Sequence, residues 1–247
     1  MVKDLEFLLK KIFFKESYLL KKRLIRAINN NYEKELKIIE EFSDKSKDAL
    51  DIGVYRGVYS YKLASNFKTV HAFEPNPLLY PYLQRNLSEI ISNIKLYNIA
   101  LSDKNGNTEL KLPVRSNSIF KDNIEELYKL GAATIHKDNK IINYKNVPVI
   151  TKKLDDISFN NKIGFIKIDV EGHEKNVISG GSNIIKKYNP TLLVEIEEKH
   201  TAKPVLDTIN FIKSYGYEAY IFNNNKLLNL SKISEYNKEI NFIFIKK

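Results

Sequence analysis

With 247 residues, 43% of them hydrophobic, and only 9 Gly and 7 Pro, the chain is long and apolar enough for one sizeable domain with a core, which excludes a disordered protein. It has no Cys, so disulfides and thiolate metal sites are excluded; with no apolar run near the ~18 residues of a membrane span and no signal-peptide pattern, a cytoplasmic protein is expected. The formal net charge of +10 favours anionic partners such as phosphate-bearing substrates, nucleic acid or a membrane surface, although Lys, Asn and Ile are abundant throughout and a general bias supplies part of it.

Residues 1–30 read as one helix or two. Leu5, Leu8, Leu9, Ile12, Phe13, Leu20 and Leu24 share one face, while Phe7, Phe14, Tyr18 and Ile25 recur nearly opposite. A helix apolar on two sides needs covering on two sides, by its own domain, by a second copy in a homodimer, or as a lid or membrane contact. The segment holds eight Lys or Arg against three Asp or Glu, half the chain's excess charge. A second helix over 31–42 and a polar linker over 43–48 follow. Residues 1–48 are thus an N-terminal helical segment and 49–247 the main domain.

From residue 49 strands and helices alternate. Strands are expected over 49–53, 69–73, 94–101, 163–170 and 191–196, and helices over 60–67, 78–88, 174–188 and 204–215. That alternation implies a parallel sheet with helices on both faces. The last strand-like runs, 218–222 and 240–245, leave no room for a helix between them and are expected as an antiparallel hairpin at the sheet edge. The stretch 103–162 interrupts the pattern, with extended runs at 108–114 and 147–154 around an aperiodic segment containing Ser116-Asn117-Ser118 and Gly131-Ala132-Ala133-Thr134. Long loops on a rigid scaffold carry specificity, so this insertion is assigned to substrate recognition.

The stretch Asp51-Ile52-Gly53-Val54-Tyr55-Arg56-Gly57 joins the first strand to its helix. A strand, a tight glycine turn and a helix bring backbone N–H groups against a ligand, and Gly53 and Gly57 leave no Cβ in its way. Glu74 follows at the end of the next strand, the offset at which nucleotide-type sites carry an acid for ribose hydroxyls. The other strand ends bring Ala100-Leu101-Ser102-Asp103, Asp169-Val170-Glu171-Gly172-His173 and Glu195-Ile196-Glu197-Glu198-Lys199-His200 to the rim where such sheets bind ligands. Each is ordinary alone, since strand ends are solvated; together they make an acidic cluster in a basic protein.

Five stretches, in order and spacing, resemble the successive motifs of FkbM-type methyltransferases: Asp51–Gly57, Phe73-Glu74-Pro75-Asn76-Pro77, Asn98–Asp103 with Gly106, Leu154-Asp155-Asp156, and Lys167-Ile168-Asp169-Val170-Glu171-Gly172-His173-Glu174 with Gly180. The resemblance covers about residues 49–200, leaves out the N-terminal helices, and includes the insertion only around residues 131–135. It implies an α/β, Rossmann-like seven-stranded methyltransferase fold, a mostly parallel sheet with an antiparallel edge strand plus N-terminal helices. It also implies S-adenosylmethionine as donor and O-methylation of sugar or natural-product hydroxyls, here of a sugar, with a nucleotide-activated sugar suggested by the charge. It carries Asp51, Gly53, Tyr55 and Gly57 to the methionine end of the cofactor, Glu74 with Pro75 to the ribose, and Ala100, Leu101, Ser102 and Asp103 to the adenine. Tyr55 stands where the family usually has Asn, which changes how the methionine end is held without abolishing binding.

Methyl transfer needs an aligned acceptor oxygen and a route for its proton, so a general base or a divalent metal is expected. Asp169 is the first candidate for either task, with His200 and His173 as further catalytic candidates. Asp169, Glu195 and Glu171 would be the metal ligands, and carboxylates without thiols suit Mg²⁺ or Mn²⁺. Glu174 opens a helix and is read as structural, as is the Asp155-Asp156 pair, which is expected to cap a short helix. His71 and His136 receive no role. Two alternatives remain. A nicotinamide oxidoreductase requires Gly-x-Gly-x-x-Gly where the chain has Asp-x-Gly-x-x-x-Gly. A nucleic-acid methyltransferase draws on the charge and the 15 Tyr, but lacks the Asn/Asp-Pro-Pro-Tyr/Phe pattern of amino-methylating enzymes, and no nucleic-acid partner is expected.

Overall fold

The computed structural model describes residues 15–30, 33–113, 133–136, 144–201, 204–232 and 239–247. Its first half runs through helix α1 (Glu16–Asn29), a 3-10 turn (Lys34–Lys37), helix α2 (Ile38–Glu41), strand β1 (Asp48–Ile52), helix α3 (Val58–Ala64), strand β2 (Val70–Phe73), helix α4 (Tyr80–Ile90) and strands β3 (Ile94–Tyr97), β4 (Ala100–Leu101) and β5 (Gly106–Pro113). The second half holds strands β6 (Tyr144–Lys152) and β7 (Ile163–Ile168), helices α5 (Glu174–Gly180) and α6 (Ser182–Tyr188), strand β8 (Thr191–Glu195), helices α7 (Glu198–Thr201) and α8 (Val205–Lys213), and strands β9 (Tyr217–Asn223), β10 (Lys226–Asn229) and β11 (Asn241–Lys246).

Strands β1, β2, β7 and β8 are apolar without alternation because both faces are covered, and every residue of β1 and β2 is buried. Among the described residues the main sheet has the order β10-β9-β11-β8-β7-β1-β2-β3. Strands β8, β7, β1, β2 and β3 run parallel, whereas β11 runs antiparallel to both β8 and β9. The sheet therefore carries eight described strands where seven were expected. The additional one, β10, folds back on β9 through Asn224 and Asn225, whose φ values of 50° and 57° are the left-handed pair a two-residue hairpin turn demands. The final strand is not at the edge either; it slots between β8 and β9, where Phe242, Ile243 and Phe244 are buried.

Three expected elements are broken. The strand expected over 94–101 stops at Tyr97, and Ala100–Leu101 pairs instead with β6 in a second sheet of order β4-β6-β5. The insertion thus builds its own small sheet around Leu110, Leu112 and Val149. The helix expected over 174–188 divides at Gly181, where a Cβ would lie 2.7 Å from the Leu154 side chain. Where one helix was expected over 31–42, residues 34–41 make a 3-10 turn and a single α-helical turn. In the N-terminal helix Leu20 and Leu24 are buried against the domain, while Tyr18 and Ile25 on the other face are 42% and 40% exposed. Leu5, Phe7, Leu8, Leu9, Ile12, Phe13 and Phe14 lie outside the described residues, as do Ser116–Ser118 and residues 131–132. Among the described residues no helix is long and apolar enough to cross a membrane.

Alternation along the strands sorts the core into two layers. Ala49, Phe165, Leu193 and Ile243 face the side covered by α1 to α4, and Leu50, Ile52, Ile166, Ile168 and Val194 face α5, α6 and α8. Phe165 is fully buried between the rings of Phe42 and Phe67, at centroid distances of 6.2 and 5.8 Å. Phe165→Ala should therefore lower unfolding stability by about 3–5 kcal/mol, read by urea denaturation.

Candidate active site

The site begins where β1 ends. The turn from Gly53 to Gly57 holds three left-handed residues, Gly53 (φ 87°), Tyr55 (φ 50°) and Gly57 (φ 78°). A Cβ on Gly53 would stand 1.8 Å from the backbone oxygen of Asp169, so only glycine lets the ends of β1 and β7 meet. The Asp169 N–H donates to the Ile52 carbonyl at 2.9 Å, and the Gly53 N–H donates to the Phe73 carbonyl at 3.0 Å. Three neighbouring strand ends are thereby locked together. Tyr55 has no glycine's freedom and bears a left-handed cost of about 1–2 kcal/mol, as does Glu171 at φ 53° in the opposite turn.

The left-handed turn aims the Tyr55 N–H at Glu74, whose carboxylate accepts it at 3.0 Å and accepts the Asn76 N–H at 2.9 Å. Glu74 is 6% exposed, and burial pushes its carboxyl up to about 7 against the opposing pull of those N–H donors. It stands on the wall of a cleft shared with Gly53, Tyr55, Pro75, Ile99, Ala100, Leu101, Asp169, Glu171 and His173. Leu79, Leu110 and Ile135 complete an apolar slot beside it. Asp51 does not line this cleft. It is 1% exposed behind the turn, accepts the Ser60 hydroxyl at 2.5 Å on one oxygen, leaves the other without a hydrogen bond, and is pushed up to about 7 by burial.

Beyond the turn lies the acidic rim. The Lys167 ammonium sits 3.8 Å from Asp169 Oδ2 and 3.9 Å from Glu195 Oε2. Burial and then the neighbouring Asp169 push Glu195 up to about 8, with Lys167 opposing. Asp169 is raised as well, by burial. His200 Nε2 lies 2.5 Å from Glu171 Oε2 and 3.4 Å from Glu197 Oε1; burial lowers its basicity, and these carboxylates more than restore it. Sequence-expected Asp169, Glu171, Glu195 and His200 thus meet. His173 turns away to Ser102, its Nε2 2.9 Å from the Ser102 hydroxyl, which also donates to Asp103 at 3.0 Å. Burial and His136 bring His173 down to about 4, leaving it neutral at physiological pH. Ser102, Asp103 and His173 line an adjoining polar cavity.

A family model described as the methyltransferase FkbM domain matches residues 51–219. The chain belongs to the FkbM methyltransferase family. The hexuronic acid methyltransferase AglP of Haloferax volcanii is 24% identical over 181 residues, covering 72% of this chain and 67% of its own. The FkbM methyltransferase structure from Methylobacillus flagellatus KT aligns at 17% identity and TM-score 0.48, over 81% of this chain and 44% of that one, so the chain spans under half of it. An S-adenosylmethionine-dependent O-methyltransferase from Thermotoga maritima aligns at 14% identity and TM-score 0.45, over 90% and 71% of the two chains.

FkbM membership makes the chain an S-adenosylmethionine-dependent methyltransferase and sets the nicotinamide alternative aside. The cleft fits that donor: an apolar slot, and a carboxylate at its edge with more lone-pair sites than Tyr55 and Asn76 occupy. Mg²⁺ or Mn²⁺ at Asp169, Glu195 and Glu171 is a poorer fit. Among the described residues no group of three or more His, Asp or Glu is arranged to hold a metal ion. The place between Asp169 and Glu195 belongs to an ammonium, and Glu171 is engaged by His200.

Three residues behind the acidic rim carry little or no signal in the sequence. Lys167 was read as part of a motif without a role, and its signal was a charge inside a strand buried on both faces. Glu33 and Tyr59 gave none: the Tyr59 hydroxyl donates to Glu33 across 26 residues of chain, a contact that only the fold creates. Asp155 accepts the N–H groups of Asn183 and Ile184 at 3.0 and 2.9 Å and so caps α6. Glu174 accepts the Gly172 N–H at 2.8 Å within the turn before its own helix.

Glu74 sets a pH dependence. Its folded-state value of about 7 lies above its usual 4.5, so the folded chain keeps a proton that the unfolded chain releases. This contribution is fully present below 4.5 and is lost as pH rises through 7. Glu74→Gln should reduce the decline of stability across that window by about 1.4 kcal/mol per pH unit, measured by urea denaturation at successive pH values.

Proposed function

We propose that this chain transfers the methyl group of S-adenosylmethionine to a hydroxyl of a sugar, and that the observation carrying this reading is the acid-lined rim set against the glycine turn. When bound, S-adenosylmethionine supplies an electrophilic methyl group on a sulfonium whose positive charge is lost on transfer. Gly53 and Tyr55 cradle its methionine end, with Asp51 and Gly57 shaping the turn from behind. Glu74 accepts its ribose hydroxyls, Pro75, Ala100 and Leu101 border its adenine, and Ser102 and Asp103 close that end. Asp169, 30% exposed to the cleft, takes the hydroxyl proton, with the Glu171–His200 pair beside it as the route outward. The insertion walls the cleft through Thr134 and Ile135, and its Thr134 hydroxyl donates to the Glu171 carbonyl at 2.8 Å, which supports a role in acceptor recognition.

The name of the AglP relative supports a sugar acceptor. A carboxylate of a hexuronic acid is the second reading, but an anionic acceptor oxygen entering beside Asp169 and Glu171 meets repulsion wherever these are ionised. A neutral hydroxyl does not. The net charge of +10 suits an anionic group held away from the reacting atoms, such as the diphosphate of a nucleotide-activated sugar.

Asp169→Asn should lower kcat by about 10²–10⁴-fold while S-adenosylhomocysteine affinity by calorimetry stays within about threefold of the parent. Given methyl-labelled donor and a panel of nucleotide sugars, free sugars and hexuronic acids, the enzyme should label hydroxyls of uncharged sugar rings. Label found solely as hexuronate methyl ester would reverse the choice of acceptor.

A further inference from the structure

Lysine is almost never fully buried unless paired, yet Lys167 is 1% exposed inside β7. Register places it beside Asp51 of β1 and Leu193 of β8, on the face that also carries Phe165. Its ammonium lies 3.4 Å from the Ile168 carbonyl and 4.9 Å from the centroid of the Tyr59 ring, and Tyr59 is bound in turn to Glu33. The ammonium stands between Asp169 and Glu195 at nearly equal distances, 3.8 and 3.9 Å.

We propose that Lys167 is the resident counter-ion of the acceptor end of the cleft, holding Asp169 and Glu195 in place on either side of one ammonium and offsetting their charge where a divalent metal would otherwise be needed. The proposal rests on the reading of Asp169 as proton acceptor. Asp51 and Glu33 face the ammonium as well as Asp169 and Glu195, and Tyr59 covers it. Asp169 further faces Glu171, Glu33 and His200, and Glu195 faces Asp169, Glu171 and Glu33. The ammonium favours the ionised forms of both carboxyls, against the burial that raises each of them. His200 does not replace Lys167, because it is held against Glu171. An ammonium also does something a metal ion does not: it neutralises Asp169 without occupying its lone pairs in short coordination bonds, so the oxygen stays able to receive a proton.

The test uses full-length parent, Lys167→Met, Lys167→Gln and Lys167→Arg. With ¹³C-labelled carboxyl groups assigned through Asp169→Asn and Glu195→Gln, the titration midpoints of Asp169 and Glu195 should rise by about 1–3 pH units in the Met and Gln variants. The acidic limb of kcat against pH should rise with them, making these variants about 10–100-fold slower at pH 7 and closer to the parent at high pH. Lys167→Arg should keep the parent's limb, and a chelator should leave the parent's turnover unchanged. A purely structural lysine would lower the rate equally at every pH and leave the midpoints in place, which overturns the proposal. Activity lost on chelation and restored by Mg²⁺ or Mn²⁺ overturns it too. If Asp169→Asn turns over at the parent's rate, the proton-acceptor reading fails by itself, and the carboxyl midpoints still decide the role of Lys167.

Discussion

A backbone contact with no room for a side chain organises this protein: Gly53 pressed against the carbonyl of Asp169, where one Cβ would come within 1.8 Å of that oxygen. The contact joins the ends of β1 and β7, and the Asp169 N–H closes it from the other side at the Ile52 carbonyl. With the strand ends fixed, the turn must pass through left-handed conformations, and that path delivers the Tyr55 N–H to Glu74 at the end of β2. Three strands thus share one rigid corner. Glu74, Asp169 and Glu171 line one cleft beside it, so their relative placement is a property of the backbone rather than of flexible side chains.

The electrostatics follow from the same corner. A protein of net charge +10 concentrates buried carboxyls there, with Asp51 and Glu74 held near 7 and Glu195 near 8 because burial disfavours their charge. A positively charged sulfonium bound beside them would favour their ionised forms, and the resulting attraction would strengthen as water is excluded. The attraction favours the bound donor more than the transfer step, since the positive charge disappears as the methyl group leaves. In the proposed function the rim contributes alignment and a place for one proton, with the Lys167 ammonium beside Asp169 as its counter-ion.

Much of this could be read before the fold was known. The glycine turn, Glu74 and the strand-end acids declare themselves through residue type and spacing, because strand, tight turn and helix follow local rules. The apolar strands were equally visible, as their lack of alternation already implies cover on both faces. Position within the sheet was not. That β11 passes between β8 and β9, and that Asn224-Asn225 makes an additional hairpin, depends on pairings among strands whose sequences fit edge or interior alike. The parting of His173 from His200 was also hidden: both sit at strand ends, but a left-handed Glu171 and Gly172 swing His173 toward Ser102. Lys167 carries a visible signal, a charge within an apolar strand, but its partners Asp169 and Glu195 meet it only in the fold.

The most direct measurement is a crystal structure of the enzyme with S-adenosylhomocysteine. Both ribose hydroxyls should lie within about 3 Å of the Glu74 carboxylate, with adenine between Pro75 and Leu101 and the sulfur directed at the rim of Asp169. A product bound elsewhere on the sheet, or lying in this cleft with its ribose away from Glu74, would contradict the account.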